Sequence, residues 1–148
     1  MTPIEVEALA LSVRVAALSV VVSLPVGVLV AWLLARVEFR GKAVVDGLVH
    51  LPLVLAPVVV GYLLLRAFGA GGPFGALLDA VGLPLAFSWR GAVVAAAVVA
   101  FPLMVRAMRL SIESIDPGLE EAAATLGAPP WRVFTSVTLP LMAPGVLA

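Results

Sequence analysis

Few side chains in this sequence could carry covalent chemistry, and their spacing matches none of the common catalytic arrangements. There is one histidine, His50, and no cysteine, so the chain offers no thiol nucleophile, no thiolate metal site and no disulfide framework. No H-E-x-x-H zinc motif and no G-x-S-x-G elbow occurs. The acids fall in polar segments or at the ends of apolar runs, which leaves no nucleophile with a base and no facing carboxylates for an intramembrane enzyme. A G-x-x-x-x-G-K-[ST] phosphate loop is also missing, so the chain is expected neither to hydrolyse ATP nor to bind a cofactor of its own. His50 stands where an apolar run leaves a polar segment, a place for an imidazole at headgroup depth. Arg14, Arg66 and Arg90 lie near the ends of apolar runs, where guanidinium groups snorkel to the interface.

Two sets of residues remain as candidates for action without covalent chemistry. Pro57 and Gly61, with Pro52 nearby, would loosen a membrane helix, and irregular backbone at that depth is tolerated where it lines a cavity or is buried. Freed backbone amides, or the hydroxyl of Ser88, could then meet a small anion without a permanent charge. Plain packing kinks account for the same prolines. The second set lies in EAAATLGAPPWRVFTSVTLP, Glu121 to Pro140, where Glu121, Ala122, Ala123, Gly127, Leu139 and Pro140 recur at fixed offsets.

The elements that position these residues follow from composition. Of 148 residues, 63% are hydrophobic and 12% charged, and the mean hydropathy of +1.19 is far above that of a water-soluble domain. The formal net charge is zero, so there is no basic surface for nucleic acid. Met1 to Glu7 carries two acids and no base, the wrong polarity for a cleaved signal peptide, so the first apolar helix is expected to be retained.

The apolar residues form long runs that read as membrane spans at about 15–35, 47–65, 83–105 and 137–148, the third with Trp89 and Arg90 at the interface. The last is too short to cross and is expected to be an incomplete fourth span, a sign of a truncated chain. Phe68 to Gly75 reads as an external turn. Counting bases in loops alone, Arg36, Arg40, Lys42, Arg106, Arg109 and Arg132 fall in the two polar segments, 36–46 and 106–136, against Arg66 and the borderline Arg90 on the other side. That bias makes those segments cytoplasmic and places the N-terminus outside. Ala92, Ala95, Ala96 and Ala100 give the third span a small face for close helix packing.

Within 106–136, Leu119 to Leu126 is rich in helix formers, Gly127 can supply a left-handed cap, and Pro129 and Pro130 suit a new helix start. The expectation is a short, small-faced helix, a bend and a second helix, with Glu120 and Glu121 favoured by the first helix's dipole. An amphipathic helix lying at the membrane surface is the plainer reading of the same residues.

The spacing E-A-A, three residues, G, nine residues, an aliphatic residue, any residue, L-P fits throughout, with Val137 at the aliphatic position. It resembles the cytoplasmic EAA loop of permeases in binding-protein-dependent ABC importers. HLPLVLAPVVVGYLLL from His50 and FSWRGAVVAAAVVAFPLMVRAMRL from Phe87 extend the likeness to nearly the whole chain and make it similar to molybdate permeases in particular. The resemblance implies an all-α transmembrane bundle of the MetI-like permease fold, with about five spans in a complete subunit, in a cell inner membrane. It implies a homodimer working with a cytoplasmic ATPase subunit, which holds the ATP and Mg, and with a periplasmic or lipoprotein substrate-binding protein. Glu121, Ala122, Ala123, Gly127, Leu139 and Pro140 would form the ATPase-coupling loop, and Pro57, Gly61 and Ser88 a candidate path for the anion. A sulfate or thiosulfate permease is the neighbouring alternative. A structural or assembly membrane protein without transport is the alternative of another class.

Overall fold

The computed structural model describes residues 3–69, 71–83 and 85–147. Its regular elements are helical: α1 (Pro3–Arg36), α2 (Lys42–Val54), α3 (Pro57–Phe68), α4 (Gly75–Ala80), α5 (Trp89–Glu113), α6 (Pro117–Thr125) and α7 (Pro130–Val133). A π-helical turn, Phe134–Thr138, then leads into α8 (Leu139–Leu141) and α9 (Ala143–Leu147). α1 and α5 are each long and apolar enough to cross a membrane; α2 and α3 meet that test only together, across a bend of 111°.

The span expected at 15–35 lies inside α1, which starts at Pro3 and continues through Pro25. The run at 47–65 is split at Leu55 and Ala56, and Pro57 occupies the first turn of α3. Proline tolerates that position because its missing N–H would have no partner there anyway. α5 begins at Trp89 and runs on to Glu113, later at both ends than the apolar stretch 83–105. Charge does not stop a helix, and Arg109 is paired along it with Glu113 at 2.8 Å. The segment 106–136 is accordingly mostly helical, and helix resumes at Pro130, ahead of the apolar run at 137–148. Met1, Thr2 and Ala148, which the readings of both termini include, lie outside the described residues.

The chain forms two compact units, Met1–Pro25 with Gly47–Pro102, and Val26–Asp46 with Leu103–Ala148. In the first, the buried side chains include Ser19, Val60, Val93 and Pro102, while Val13, Val21, Val58 and Leu77 are exposed, as in helices whose solvent is lipid. Arg14 lies over the Trp89 ring at 4.6 Å, a cation–π contact. Phe68 and Phe74 stack at 5.7 Å across the turn between α3 and α4.

The second unit has a proper core. Val28, Ala31 and Leu34 of α1 and Val105, Met108 and Ile112 of α5 are buried with Ile115 and Met142, each set recurring at the three- and four-residue steps of one helix face. The helices approach closely at Gly27, where an added Cβ would fall 2.5 Å from Met104 Cε. Asp46 at the start of α2 is tied to Arg109 at 3.1 Å.

Candidate functional site

α6 is built by its sequence at both ends. Asp116 is the N-cap, its carboxylate accepting from the Gly118 N–H at 2.9 Å, with Pro117 in the first turn. The helix therefore starts two residues ahead of Leu119, and the Asp-Pro pair is the signal that marks it. At the far end Gly127 has φ +83°. Its N–H donates to the Ala124 carbonyl at 3.0 Å and that of Ala128 donates to Ala123 at 3.2 Å, the two bonds of a Schellman cap. Pro129 is the N-cap of α7 and Pro130 lies in its first turn, so helix, bend and helix follow within a few residues.

The residues expected to form a coupling loop are distributed unevenly. Glu121, Ala122 and Gly127 are exposed and Ala123 is half-buried, while Leu139 and Pro140 are exposed in α8 beyond the π turn. Around α6 stand three large exposed apolar side chains: Leu119, Trp131 and Leu126, the last 88% exposed. The face is thus small in its middle and apolar at its ends.

Glu120 behaves differently from Glu121. Its Oε1 accepts from the Thr138 hydroxyl at 2.6 Å, and its Oε2 lies 3.1 Å from Arg36 Nε. The Nε–H is not aligned for a hydrogen bond, so that contact is an ion pair. Arg36 also donates from Nη2 to the Ile115 carbonyl at 3.2 Å. Trp32 meets Phe134 edge to face at 5.8 Å. These residues line a cavity of about 220 Å³ together with Ala124, Pro130 and Val133. Glu120 was expected only as a charge favoured by the helix dipole, and Thr138 occupies the unspecified position of the E-A-A pattern. No local spacing pairs residues 120 and 138, which the fold brings together.

Of the three path candidates, Gly61 and Ser88 line one cavity of about 270 Å³, with Leu64, Phe68, Phe87 and Ala95 among its other walls. Pro57 is exposed at the start of α3 and is not among those walls. Ser88 donates to the Leu85 carbonyl at 2.9 Å and accepts from the Gly91 N–H at 3.3 Å, and so caps α5. Among the described lining residues Ser88 is the only one with a polar side chain, so they offer an anion little beyond backbone. Among the described residues no group of three or more His, Cys, Asp or Glu could hold a metal.

Known proteins share this architecture and sequence. The chain is 59% identical over 145 residues to the molybdenum transport system permease protein ModB of Haemophilus influenzae, a match covering 97% of this chain and 63% of that protein. It is 57% identical over 148 residues to the protein of the same name from Escherichia coli K12, covering 99% and 65%. The chain therefore spans less than two thirds of the length of these relatives. A solved bacterial ABC transporter involved in the import of the acidic polysaccharide alginate has the same fold, with a TM-score of 0.75 at 23% identity, over 99% of this chain and 54% of that one. Residues 23–148 match the family described as binding-protein-dependent transport system inner membrane component. With the apolar helices and the capped α6 this makes the chain a membrane protein, and it belongs to that family of permeases.

Proposed function

We propose that this chain acts as the membrane-spanning permease of an ATP-driven importer of molybdate. The observation that carries the reading is identity near 60% along almost the whole chain to permeases named for molybdenum transport. The form of α6 supports it: a short helix, capped at both ends, with exposed Ala122 flanked by exposed Leu119, Leu126 and Trp131. A helix with little bulk at its centre and apolar anchors at its ends suits a groove in a partner.

In this reading α6 docks on a cytoplasmic ATPase subunit, which alone holds ATP and Mg. Glu121, Ala122 and Ala123 make the contact, Gly127 sets the bend, and Leu139 and Pro140 pass movement into the next helix. A binding protein delivers the anion on the outer side, where the N-terminus also lies. Two copies of the permease, surrounded by lipid, enclose the path past Gly61 and Ser88.

The test is uptake of labelled molybdate and sulfate by cells whose own permease gene is deleted, with and without the complete operon carrying this subunit. Restored molybdate uptake is expected. Restoration of sulfate uptake alone would assign the neighbouring substrate, and restoration of neither would remove transport. Cysteine at Ala122 should crosslink to the ATPase subunit; a chain that purifies alone and crosslinks to no ATPase would be a structural component instead.

A further inference from the structure

A push on α6 moves the membrane helices only if α6 is fastened to them, and one carboxylate supplies the fastening. Glu120 Oε1 takes the Thr138 hydroxyl at 2.6 Å, Oε2 faces Arg36 at 3.1 Å, and Arg36 also holds the Ile115 carbonyl at 3.2 Å. The last residue of α1, the first turn of α6, the link leading into α6 and the end of the π turn therefore meet at one point. We propose that Arg36, Glu120 and Thr138 form a latch that transmits displacement of α6 to α1 and to the helical run after Pro130. They are positioning residues for coupling, and the proposal rests on the reading of α6 as the ATPase-docking helix.

Three observations favour a transmitting role over plain stabilisation. First, the side chains of Arg36 and Glu120 are only 18% and 20% exposed. Such partly buried ion pairs give little net stability against apolar residues of similar size, so a purely stabilising site is better served by packing. Second, the triad borders a cavity of about 220 Å³ rather than a filled core. α6 is thus held there by directional polar contacts, which keep an angle and transmit load, and short bonds to an ionised acceptor are the strongest of these. Third, Thr138, 1% exposed, ends a π-helical turn. Such wide turns are rare and recur at functional sites. Adjacent glutamates then divide the work: Glu121, exposed, is left for the partner, while Glu120 is turned inward.

The test uses the full permease with its ATPase subunit and binding protein in proteoliposomes, measuring anions imported per ATP hydrolysed. Glu120→Ala and Thr138→Val should each lower that ratio about tenfold or more, the effect of losing one hydrogen bond to a charged group. Thr138→Ser, which keeps the hydroxyl, should retain it. The double variant Glu120→Ala with Thr138→Val should be little worse than Glu120→Ala alone, because the first change already removes the contact with Thr138. The amount of ATPase subunit copurified should stay unchanged. Wild-type ratios in all variants would overturn the latch while leaving the permease reading intact. A lower yield of assembled complex with a normal ratio per complex would also overturn it, since the triad would then be a brace. Failure of the unaltered permease to copurify with an ATPase would overturn the underlying reading, and the latch with it.

Discussion

A Cβ added at Gly127 meets no atom within 4 Å, whereas one at Gly145 would fall 2.7 Å from the Ala107 carbonyl and collide with the Ser111 hydroxyl. The two glycines are needed for opposite reasons. At Gly127 the requirement is conformational, φ +83°, and a β-branched residue there costs about 1–2 kcal/mol. Gly127→Val should lower uptake relative to ATP hydrolysis, while Gly127→Asn, which accepts a left-handed backbone, should stay near the unaltered protein; the two rates measured together decide it. At Gly145 the requirement is space against α5, and Gly145→Ala should destabilise by about 1–3 kcal/mol through overpacking, visible as a lower Tm in detergent. Gly127 was legible in the sequence because its pattern and the prolines after it agree. Gly145 was not, since nothing near it in the chain announces that Ala107 and Ser111 will lie against it.

At the scale of elements, α1 was legible because an uncharged run of that length has few alternatives, and α6 because helix formers, cap and bend residues all point the same way. The break between α2 and α3 was only half legible: Pro52 and Pro57 both disturb a helix, yet α2 runs through Pro52 and ends before Pro57. α4 was not anticipated, because GALLDA is too short to show a period. Gly61, on α3, has open space where its Cβ would be and borders the cavity shared with Ser88. Gly61→Leu should fill that space and lower uptake severalfold, whereas Pro57→Ala, at an exposed first turn, should change it little; unchanged uptake in both variants would take these positions out of the path. Between α2 and α5, Asp46→Asn should cost less than about 1 kcal/mol. The Asp46 side chain is 41% exposed and Arg109 keeps Glu113 at 2.8 Å, so thermal unfolding should barely shift.

For the whole molecule, the absence of native cysteine makes single-cysteine labelling a direct reading of which side each segment faces. The composition was enough to frame a membrane protein built of apolar helices. It was not enough to show that the second unit has a packed core while the first presents mostly apolar surface, because the same aliphatic residues serve both environments. Cysteine placed at Ala122 is expected to react from the cytoplasmic side only.

The contact of Arg36 with Glu120 also works as a parity check on the path of the chain. Two points that touch lie on one face of the bilayer, and α5, long and apolar enough for one crossing, falls between them. Residues 37–88 must then cross an odd number of times, and α4, with six residues, is too short to contribute. The bent pair α2 and α3 is therefore expected to go through the membrane despite its 111° turn. A thiol at Glu38 and one at Asp79 should accordingly answer to reagents added on opposite sides.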